Sequence, residues 1–261
     1  LLNSPGNFTA SKLRWVQENE PDTYAKIDKA MLPGDFIAMK LTGDITTTDS
    51  GLSEGIFWNH QTNAIDEQVL DCYASDKKLL PDINPVFSLQ GRVQATVASE
   101  WGLEPGIPVS YRSGDQPNNA LSLNVLKPGE TAATGGTSGV IYSVTDANAY
   151  DSISRVNTFL HVNNSKSEKR NGVLLCVNGT GIMNSWVRRL FSNGQPMEYS
   201  AMNTLAATVP VGSDGLTVLP FGNGAERILQ NKNIGAQFSH LDLNRHTNGH
   251  VVRATQEGIA F

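Results

Sequence analysis

Several features that mark particular classes of protein are scarce or absent in this 261-residue sequence. Its two cysteines, Cys72 and Cys176, are too few for a disulfide framework and have no metal-binding spacing. No apolar run reaches the roughly 18 residues of a membrane-spanning helix. No block of basic residues is present to bind a nucleic-acid backbone. We therefore expect a reduced, cytoplasmic protein that binds neither a membrane nor nucleic acid.

Charged residues are also sparse, at 17%, whereas hydrophobic residues make up 39% and the formal net charge is −5. This balance is typical of a globular chain that can bury a core. At about 150 residues per domain, the length predicts one large domain or two smaller ones. Neither end of the sequence has a recognisable start or stop signal, so we expect the chain to be an internal piece of a longer protein.

The order of predicted elements indicates an α/β fold with a mixed sheet. In the first half, apolar residues at helical spacing predict short helices, the first with Thr9 as its N-cap, at residues 9–20, 24–31, 35–41, 67–74 and 95–101. A polar turn is predicted over residues 46–50 and a strand over 108–111. Beyond residue 130, strands are predicted at 131–134, 140–144, 156–162, 173–177 and 216–219, and helices at 182–191, 197–209 and from 249 onward.

Asp115 is the first candidate for chemistry. It follows a predicted strand and Gly114, where we expect the backbone to turn, and it precedes Pro117, a residue favoured at the first helical position. Ligands of open α/β sheets bind at this edge, and a carboxylate there can serve as a general base. The alternative is that Asp115 only caps a helix that starts at Pro117.

Two glycine-rich turns are candidates for binding phosphate. In Gly135-Gly136-Thr137-Ser138-Gly139, between two predicted strands, exposed N–H groups and two hydroxyls can act as donors. No Lys follows, so this is not a Walker A loop. Asn178-Gly179-Thr180-Gly181 opens a predicted helix, whose N-terminus favours anions. The alternatives are an ordinary tight hairpin for the first turn and close helix–strand packing for the second.

The histidines give no metal-binding pattern. Only His246 and His250 are spaced as i and i+4, and they lack the Glu of the H-E-x-x-H zinc motif. We therefore predict no metal ligand among the side chains.

Taken in order, these segments resemble the FGGY family of carbohydrate kinases, and most closely its xylulose kinase branch. Gly114-Asp115-Gln116 resembles the family's Gly-Asp-Gln/Asn motif, and Gly136-Thr137-Ser138-Gly139 resembles its phosphate motif. The resemblance covers nearly the whole chain, and further matching segments lie at Phe8–Trp15, Leu32–Ile37, Leu41–Gly43, Gly181–Trp186, Gly215–Pro220, Gly224–Arg227 and Arg253–Gly258.

This resemblance implies two actin-like (ribonuclease-H-like) α/β domains with an interdomain cleft, both incomplete in this chain. Residues 1–121 would be the later half of the N-terminal, sugar-binding domain, and residues 122–261 the earlier part of the C-terminal, nucleotide-binding domain. The boundary falls near the connector at Lys127-Pro128-Gly129. The family's first phosphate loop and its adenine loop would lie beyond Leu1 and Phe261, so we expect this chain alone to be inactive.

The resemblance also implies a function, ATP-dependent phosphorylation of a sugar hydroxyl, with D-xylulose as the ketose substrate and D-xylulose 5-phosphate as the product. Asp115 would be the general base and Gln116 would orient a sugar hydroxyl. Gly136, Thr137, Ser138 and Gly139 would hold the phosphates of ATP, which Mg²⁺ would bridge, and Gly181 and Ser185 would contact the nucleotide. A homodimer is the expected oligomer.

Three alternatives stay open. The substrate of the kinase could instead be gluconate, ribulose, glycerol or fuculose, because the segment that reads the sugar is expected upstream of Leu1. The chain could be a non-catalytic nucleotide- or sugar-binding module, which would not need the Asp115 base. It could also be an ATP-driven conformational protein of the same fold, although Gly114-Asp115-Gln116 favours the kinase.

Overall fold

The computed structural model describes residue 6, residues 8–192, residues 194–195 and residues 197–261. The chain divides into two units. The first contains the chain as far as Ala132, together with Tyr142–Asp151 and Asn157–Val173. The second contains Ala133–Ile141, Ser152–Val156 and Leu174–Phe261.

Short elements make up most of the first unit. Its helices are α1 (Thr9–Asn19), α2 (Pro21–Tyr24), α3 (Pro33–Thr42), α4 (Asp49–Glu54), α5 (Glu67–Cys72), α6 (Ala95–Trp101) and α7 (Asp115–Ser122), with a 3-10 turn at Lys77–Leu79. Its short strands are β1 (Thr46–Thr48), β2 (Trp58–Asn59), β3 (Ala64–Ile65), β4 (Asp82–Asn84), β5 (Gly91–Arg92) and β6 (Pro108–Val109). β1 pairs with β4 in parallel, whereas β2 with β3 and β5 with β6 are antiparallel pairs.

Four strands after α7 form the largest sheet among the described residues. They are β7 (Thr131–Gly135), β8 (Gly139–Thr145), β9 (Asn157–Leu160) and β10 (Asn171–Val177), in the spatial order β7-β8-β10-β9. The boundaries between the two units fall inside β7, β8 and β10.

The second unit places helices on a small antiparallel sheet. It contains α8 (Thr180–Leu190), α9 (Tyr199–Ala207), α10 (Asn248–Ala260), β11 (Thr217–Leu219) and β12 (Gln237–Ser239), with 3-10 turns at Ser213–Gly215 and Arg227–Leu229. β11 pairs with β12, Thr217 opposite Ser239. Helix α10 crosses β11 so closely that a Cβ at Gly258 would collide with the carbonyl oxygen of Val218.

Each unit has its own apolar core, which accounts for most of the stabilisation expected from burial. The core of the first unit is made of Ala10, Leu13, Leu52, Ile56, Phe57, Trp58, Val69, Leu70, Leu79, Leu80 and Leu160. The core of the second is made of Met183, Val187, Met202, Ala206, Leu216, Val218, Val252 and Ala254.

Three expectations about local structure are wrong. Thr9 is the first residue inside α1, and Phe8 precedes it as the N-cap. The predicted helix over residues 24–31 is absent, because Pro21 starts the short helix α2 rather than only ending α1. A proline fits the first helical position, where its missing N–H costs nothing.

The polar turn predicted over residues 46–50 is also wrong, since this segment is strand β1 followed by the start of α4. Its hydroxyls are used inside the fold. Thr47 Oγ1 donates to Asp35 Oδ2 at 2.8 Å, and Thr48 Oγ1 accepts from the N–H of Gly51 at 3.1 Å as the cap of α4. Threonine suits both tasks, because it is β-branched and its hydroxyl can cap a helix.

Within the described part of the chain, no helix is both long enough and apolar enough to cross a membrane.

Candidate active site

Asp115 lies at the start of α7, in the first unit, with its side chain exposed. Its carboxylate has one hydrogen-bonding partner among the described residues, the amide of Gln116, whose Nε2 lies 3.5 Å from Oδ2. An exposed carboxylate at a helix start is well placed to meet a substrate, and the first turn of a helix also favours a negative charge.

The capping alternative for Asp115 is wrong. Helix α7 begins at Asp115 itself, its N-cap is Gly114, and no side chain makes a capping hydrogen bond. Pro117 is therefore the third helical residue rather than the first. The helix does not need the Asp115 carboxylate for its own hydrogen bonds, so this group is available for other contacts.

The reason for a glycine at 114 also differs from the expectation. Gly114 has φ −61 and ψ 160, which any residue can adopt. The constraint is space, because a Cβ at this position would collide with Oε2 of Glu54. Glu54 is the last residue of α4, so the end of that helix lies directly against the residue that precedes Asp115.

The environment of Glu54 makes it an unusual carboxyl group. Burial, which penalises the charged form, and then the nearby charge of Asp115 raise the pKa of Glu54 to about 7. The backbone N–H of Asp115 hydrogen bonds to this carboxyl group and partly opposes the shift, whereas the charge of Asp35 adds to it. Glu54 therefore changes its protonation near neutral pH.

A buried ion pair holds the segment before α7. Nε of Arg112 lies 2.9 Å from Oδ1 of Asp35, and its Nη2 donates to Oγ1 of Thr46 at 3.0 Å. Burial raises the pKa of Asp35, and the hydrogen bond from Thr47 and the charge of Arg112 oppose that shift. This pair ties helix α3 and strand β1 to the segment that leads into Asp115.

The glycine hairpin and the start of α8 meet within the second unit. The N–H of Ile182 donates to the carbonyl oxygen of Thr137 at 3.1 Å. A Cβ at Gly181 would collide with the carbonyl oxygen of Gly136, and one at Gly139 would lie 2.8 Å from Cγ2 of Thr180. The two glycine-rich turns predicted from the sequence therefore pack backbone against backbone, and we refer to residues 135–139 and 178–182 together as the cradle.

A buried glutamate, Glu226, holds the backbone of the second glycine-rich turn. Both oxygens of Glu226 lie 3.0 Å from the N–H of Asn178, and Glu226 is 0% exposed. A Cβ at Gly179 would collide with the carbonyl oxygen of Pro220. Gly179 therefore packs against the residue that follows β11, and Gly181 packs against the hairpin.

The polar groups at this cradle differ in their availability. The Ser138 hydroxyl hydrogen bonds to the thiol of Cys176, and Ser185 Oγ accepts from Nη1 of Arg189 at 2.9 Å. Thr137 is exposed. Within the described residues, the buried Oγ1 of Thr180 and Oδ1 of Asn184 have no hydrogen-bonding partner. Each can therefore still form a hydrogen bond with a ligand or a water molecule.

The two spaced histidines have structural roles. The ring of His250 bonds to the N–H of Thr247 at 3.1 Å, at the start of α10, and its Nε2 lies 3.1 Å from Oδ2 of Asp214. The ring of His246 lies beside it, with a centroid distance of 5.1 Å. Among the residues that the structure describes, no group of three or more His, Cys, Asp or Glu side chains could hold a metal ion.

The sequence alone does not predict the roles of two residues at these sites. Glu54 carried no signal, because a glutamate followed by glycine is common at the end of a helix. Glu226 belongs to the Gly224–Arg227 segment, which marked the family resemblance but gave no indication of a contact with Asn178.

Comparison with known proteins supports the resemblance. The model of the FGGY family of carbohydrate kinases, N-terminal domain, matches residues 3–122. A xylulose kinase of Haemophilus influenzae is 28% identical over 257 residues, which is 97% of this chain and 50% of that protein. A gluconokinase of Bacillus licheniformis is 26% identical, over 96% of this chain and 49% of that protein. The chain spans about half the length of the curated relatives it matches.

Solved structures agree with these relatives. The crystal structure of xylulose kinase from Rhodospirillum rubrum matches with a TM-score of 0.81 at 26% identity, over 97% of this chain and 50% of that one. The chain is therefore similar over nearly its whole length to carbohydrate kinases of the FGGY family. The similarity to xylulose kinases predicted from the sequence is confirmed, as is the actin-like α/β fold class.

Proposed function

We propose that the protein containing this chain is an ATP-dependent carbohydrate kinase that phosphorylates a sugar hydroxyl, with D-xylulose as substrate and D-xylulose 5-phosphate as product. The relatives named xylulose kinase support the choice of sugar, and the gluconokinase relative makes gluconate the second candidate. Residues 1–121 would serve sugar binding and residues 122–261 nucleotide binding. The cytoplasmic location and the homodimer stay predictions from the sequence.

One observation carries the catalytic part of the proposal. Asp115 has an exposed carboxylate that α7 does not use for capping. In the reaction, Asp115 would accept the proton of the sugar hydroxyl while the hydroxyl oxygen bonds to the γ-phosphorus of ATP. The bond from that phosphorus to the β,γ-bridging oxygen breaks, and ADP leaves. Gln116, beside Asp115, would orient the hydroxyl.

The cradle in the second unit supports nucleotide binding. Backbone N–H groups in glycine turns and at helix starts bind phosphates well. Gly136, Thr137, Ser138 and Gly139 would hold the β- and γ-phosphates, and Gly181 and Ser185 at the start of α8 would contact the nucleotide. Since Ser138 and Ser185 already have protein partners, we expect the Thr137 hydroxyl to be the main side-chain donor.

Mg²⁺ has no all-protein site in the described part of the chain. This ion usually binds through substrate phosphates and one or two carboxylates, so it would enter with ATP.

The test is Asp115→Asn in the full-length protein, because this change keeps the shape of the side chain and removes the base. We expect turnover to fall by about 10²–10⁴-fold while sugar and ATP binding survive. Asp71→Asn, an exposed aspartate on α5, is the matched control and should leave turnover unchanged. Retained turnover within a few-fold in Asp115→Asn would contradict the role of Asp115.

The sugar is tested separately. Steady-state kinetics with D-xylulose, D-ribulose, D-gluconate, glycerol and L-fuculose should give the highest kcat/KM for D-xylulose. A higher value for gluconate would correct the substrate without affecting the role of Asp115, and binding without turnover of any sugar would favour a non-catalytic binding module.

A further inference from the structure

The carboxyl group of Glu54 lies against the backbone at Gly114, the residue before Asp115. Its Oε2 lies against Gly114, leaving no room for a Cβ there, and the backbone N–H of Asp115 acts on its carboxyl group and lowers its pKa. A hydrogen bond also reaches the same spot from α4, since the N–H of Gly114 donates to Oγ of Ser50 at 3.3 Å. The end of α4 therefore supports the first residues of α7.

The carboxyl group of Glu54 is not satisfied by these contacts. Its Oε2 is buried and has no hydrogen-bonding partner among the described residues. A buried carboxyl oxygen without a partner is costly, more so when charged. A group kept in such a position at a candidate catalytic residue calls for a role other than stability.

The charged groups around Glu54 are mostly acidic. Asp115 faces it from α7 and Asp35 from α3, and the buried Tyr142 on β8 also senses its charge. Arg112 is paired with Asp35. Strands β1, β2 and β9, which pack against α4, have no titratable side chain. Asp49 lies at the start of α4, His60 contacts Ser53 of α4, and Tyr111 acts on Tyr142.

We propose that Glu54 is a positioning residue for Asp115: its carboxyl group supports the Gly114–Asp115 backbone, and its charge sets how strongly Asp115 takes up a proton. This inference rests on the proposed role of Asp115 as the base.

The expected direction follows from electrostatics. Asp115 gains a proton during the transfer, so its negative charge is reduced in the transition state. An ionised Glu54 nearby makes that proton uptake more favourable, because two like charges become one. Since burial and Asp115 raise the pKa of Glu54 to about 7, Glu54 is neutral in mild acid and charged in mild base. Glu54 should therefore increase kcat only when it is ionised, that is, as the pH rises through neutrality.

The kinetic test compares native protein with Glu54→Gln, both full length. Glutamine has the shape of the neutral acid and cannot ionise. The ratio of native kcat to Glu54→Gln kcat should be near one at about pH 6 and about three- to tenfold at about pH 8, with little change in the KM for sugar. A ratio that is the same at both pH values would overturn the proposal.

Asp49→Asn is the matched control for this ratio. Asp49 is at the other end of α4, and burial also raises its pKa, but Asp115 is not among the groups that shift it. Its ratio should not depend on pH. If it changes with pH as the Glu54 ratio does, the effect belongs to the helix as a whole and the proposal is wrong.

A measurement that needs no turnover separates the coupling of Glu54 to Asp115 from the proposed role of Asp115 as the base. In protein labelled with ¹³C at the glutamate Cδ, the signal missing from Glu54→Gln is that of Glu54. Its titration midpoint should be lower in Asp115→Asn than in native protein, and an unchanged midpoint would show that the two carboxyl groups are not coupled. If Asp115→Asn keeps its turnover, the proposed role of Asp115 as the base is wrong, while the coupling of the two carboxyl groups is still decided by the midpoint.

Discussion

The surroundings of Asp115 and the glycine cradle are built from different kinds of contact. Around Asp115, buried side-chain charges decide the arrangement: Glu54 lies behind the backbone, and Asp35 is paired with Arg112 at 2.9 Å. In the cradle, main chain lies on main chain, and a Cβ at Gly181 would meet the Gly136 carbonyl oxygen. The first region should respond to a change of charge at constant shape, and the second to added volume at constant charge.

This difference follows from what each region would bind. A base needs a defined affinity for protons, which neighbouring charges adjust. A phosphate cradle needs N–H groups at close range, which side chains would obstruct. Ionisable groups are therefore kept near Asp115, whereas glycines keep side chains out of the cradle.

The largest expected effect is that of a methyl group in the cradle. Gly181→Ala would drive a Cβ into the backbone of Gly136, which has no flexible end to move aside. We expect the free energy of unfolding to fall by about 3 kcal/mol and nucleotide binding to be lost. Thermal unfolding and ATP titration of the full-length variant measure both.

Gly34→Ala is the control for added volume. Gly34 lies in the first turn of α3, and a Cβ there would meet nothing within 4 Å. Its melting temperature should be unchanged or slightly higher, because alanine is the better helix former. Equal stability of Gly181→Ala and Gly34→Ala would refute the close approach of the two turns.

The next effect concerns charge in the first unit. Burial lowers the pKa of His161 to about 4, and its ring bonds to the hydroxyl of Tyr142 at 3.0 Å. Because the folded pKa lies below the ordinary histidine value of 6.5, the unfolded chain takes up a proton first as pH falls. The contribution of neutral His161 to the free energy of unfolding is complete above pH 6.5 and is lost progressively as the pH falls toward 4.

Denaturant titrations at several pH values measure this loss. From about pH 8 to about pH 5 the native protein should lose about 2 kcal/mol through His161, and His161→Gln should lose less by that amount. Glu54 contributes with the opposite sign, since its pKa is raised, but it is present in both proteins and cancels in the comparison. Parallel pH curves would show that His161 is not held neutral by burial.

The last prediction tests the cradle by removing one donor without adding volume. Thr137→Val keeps the side-chain shape and removes the hydroxyl. If that hydroxyl contacts the transferring phosphate, kcat should fall by about 10- to 150-fold, with a smaller change in the KM for ATP. Thr134→Val, on the exposed part of β7, is the control. Unchanged kcat with a shifted melting temperature would mean that Thr137 is only a turn residue.

Much of the fold could be predicted because the deciding signals are local. Helix α6 was predicted at the residues where it occurs, and the β7–β8 hairpin followed from its glycine turn. The short strands β2 to β5 were missed, because strands of two or three residues have no measurable period. The threonines of β1 were misread as a turn, because only the fold shows that Thr47 bonds to buried Asp35.

The site was predicted as far as its motifs extend. Sequence motifs alone identify the segment around Asp115 and both glycine turns as candidate functional residues. The family resemblance then implies what each of them does. The roles of Glu54 and Glu226 could not be predicted, because each depends on contact with a residue distant in sequence. For Glu226 the partner is Asn178, 48 residues earlier.

That contact has a consequence for how the protein is made. On the ribosome, Asn178 emerges well before Glu226, which is 48 residues later, and synthesis of that stretch takes a few seconds at roughly 5–20 residues per second. Throughout this interval the turn at Asn178 lacks the carboxylate that holds its N–H. The nascent chain should therefore complete its cradle only after the Glu226 segment has emerged. Arrested chains that end before that segment should be cleaved at the turn by a protease, and longer ones should be protected.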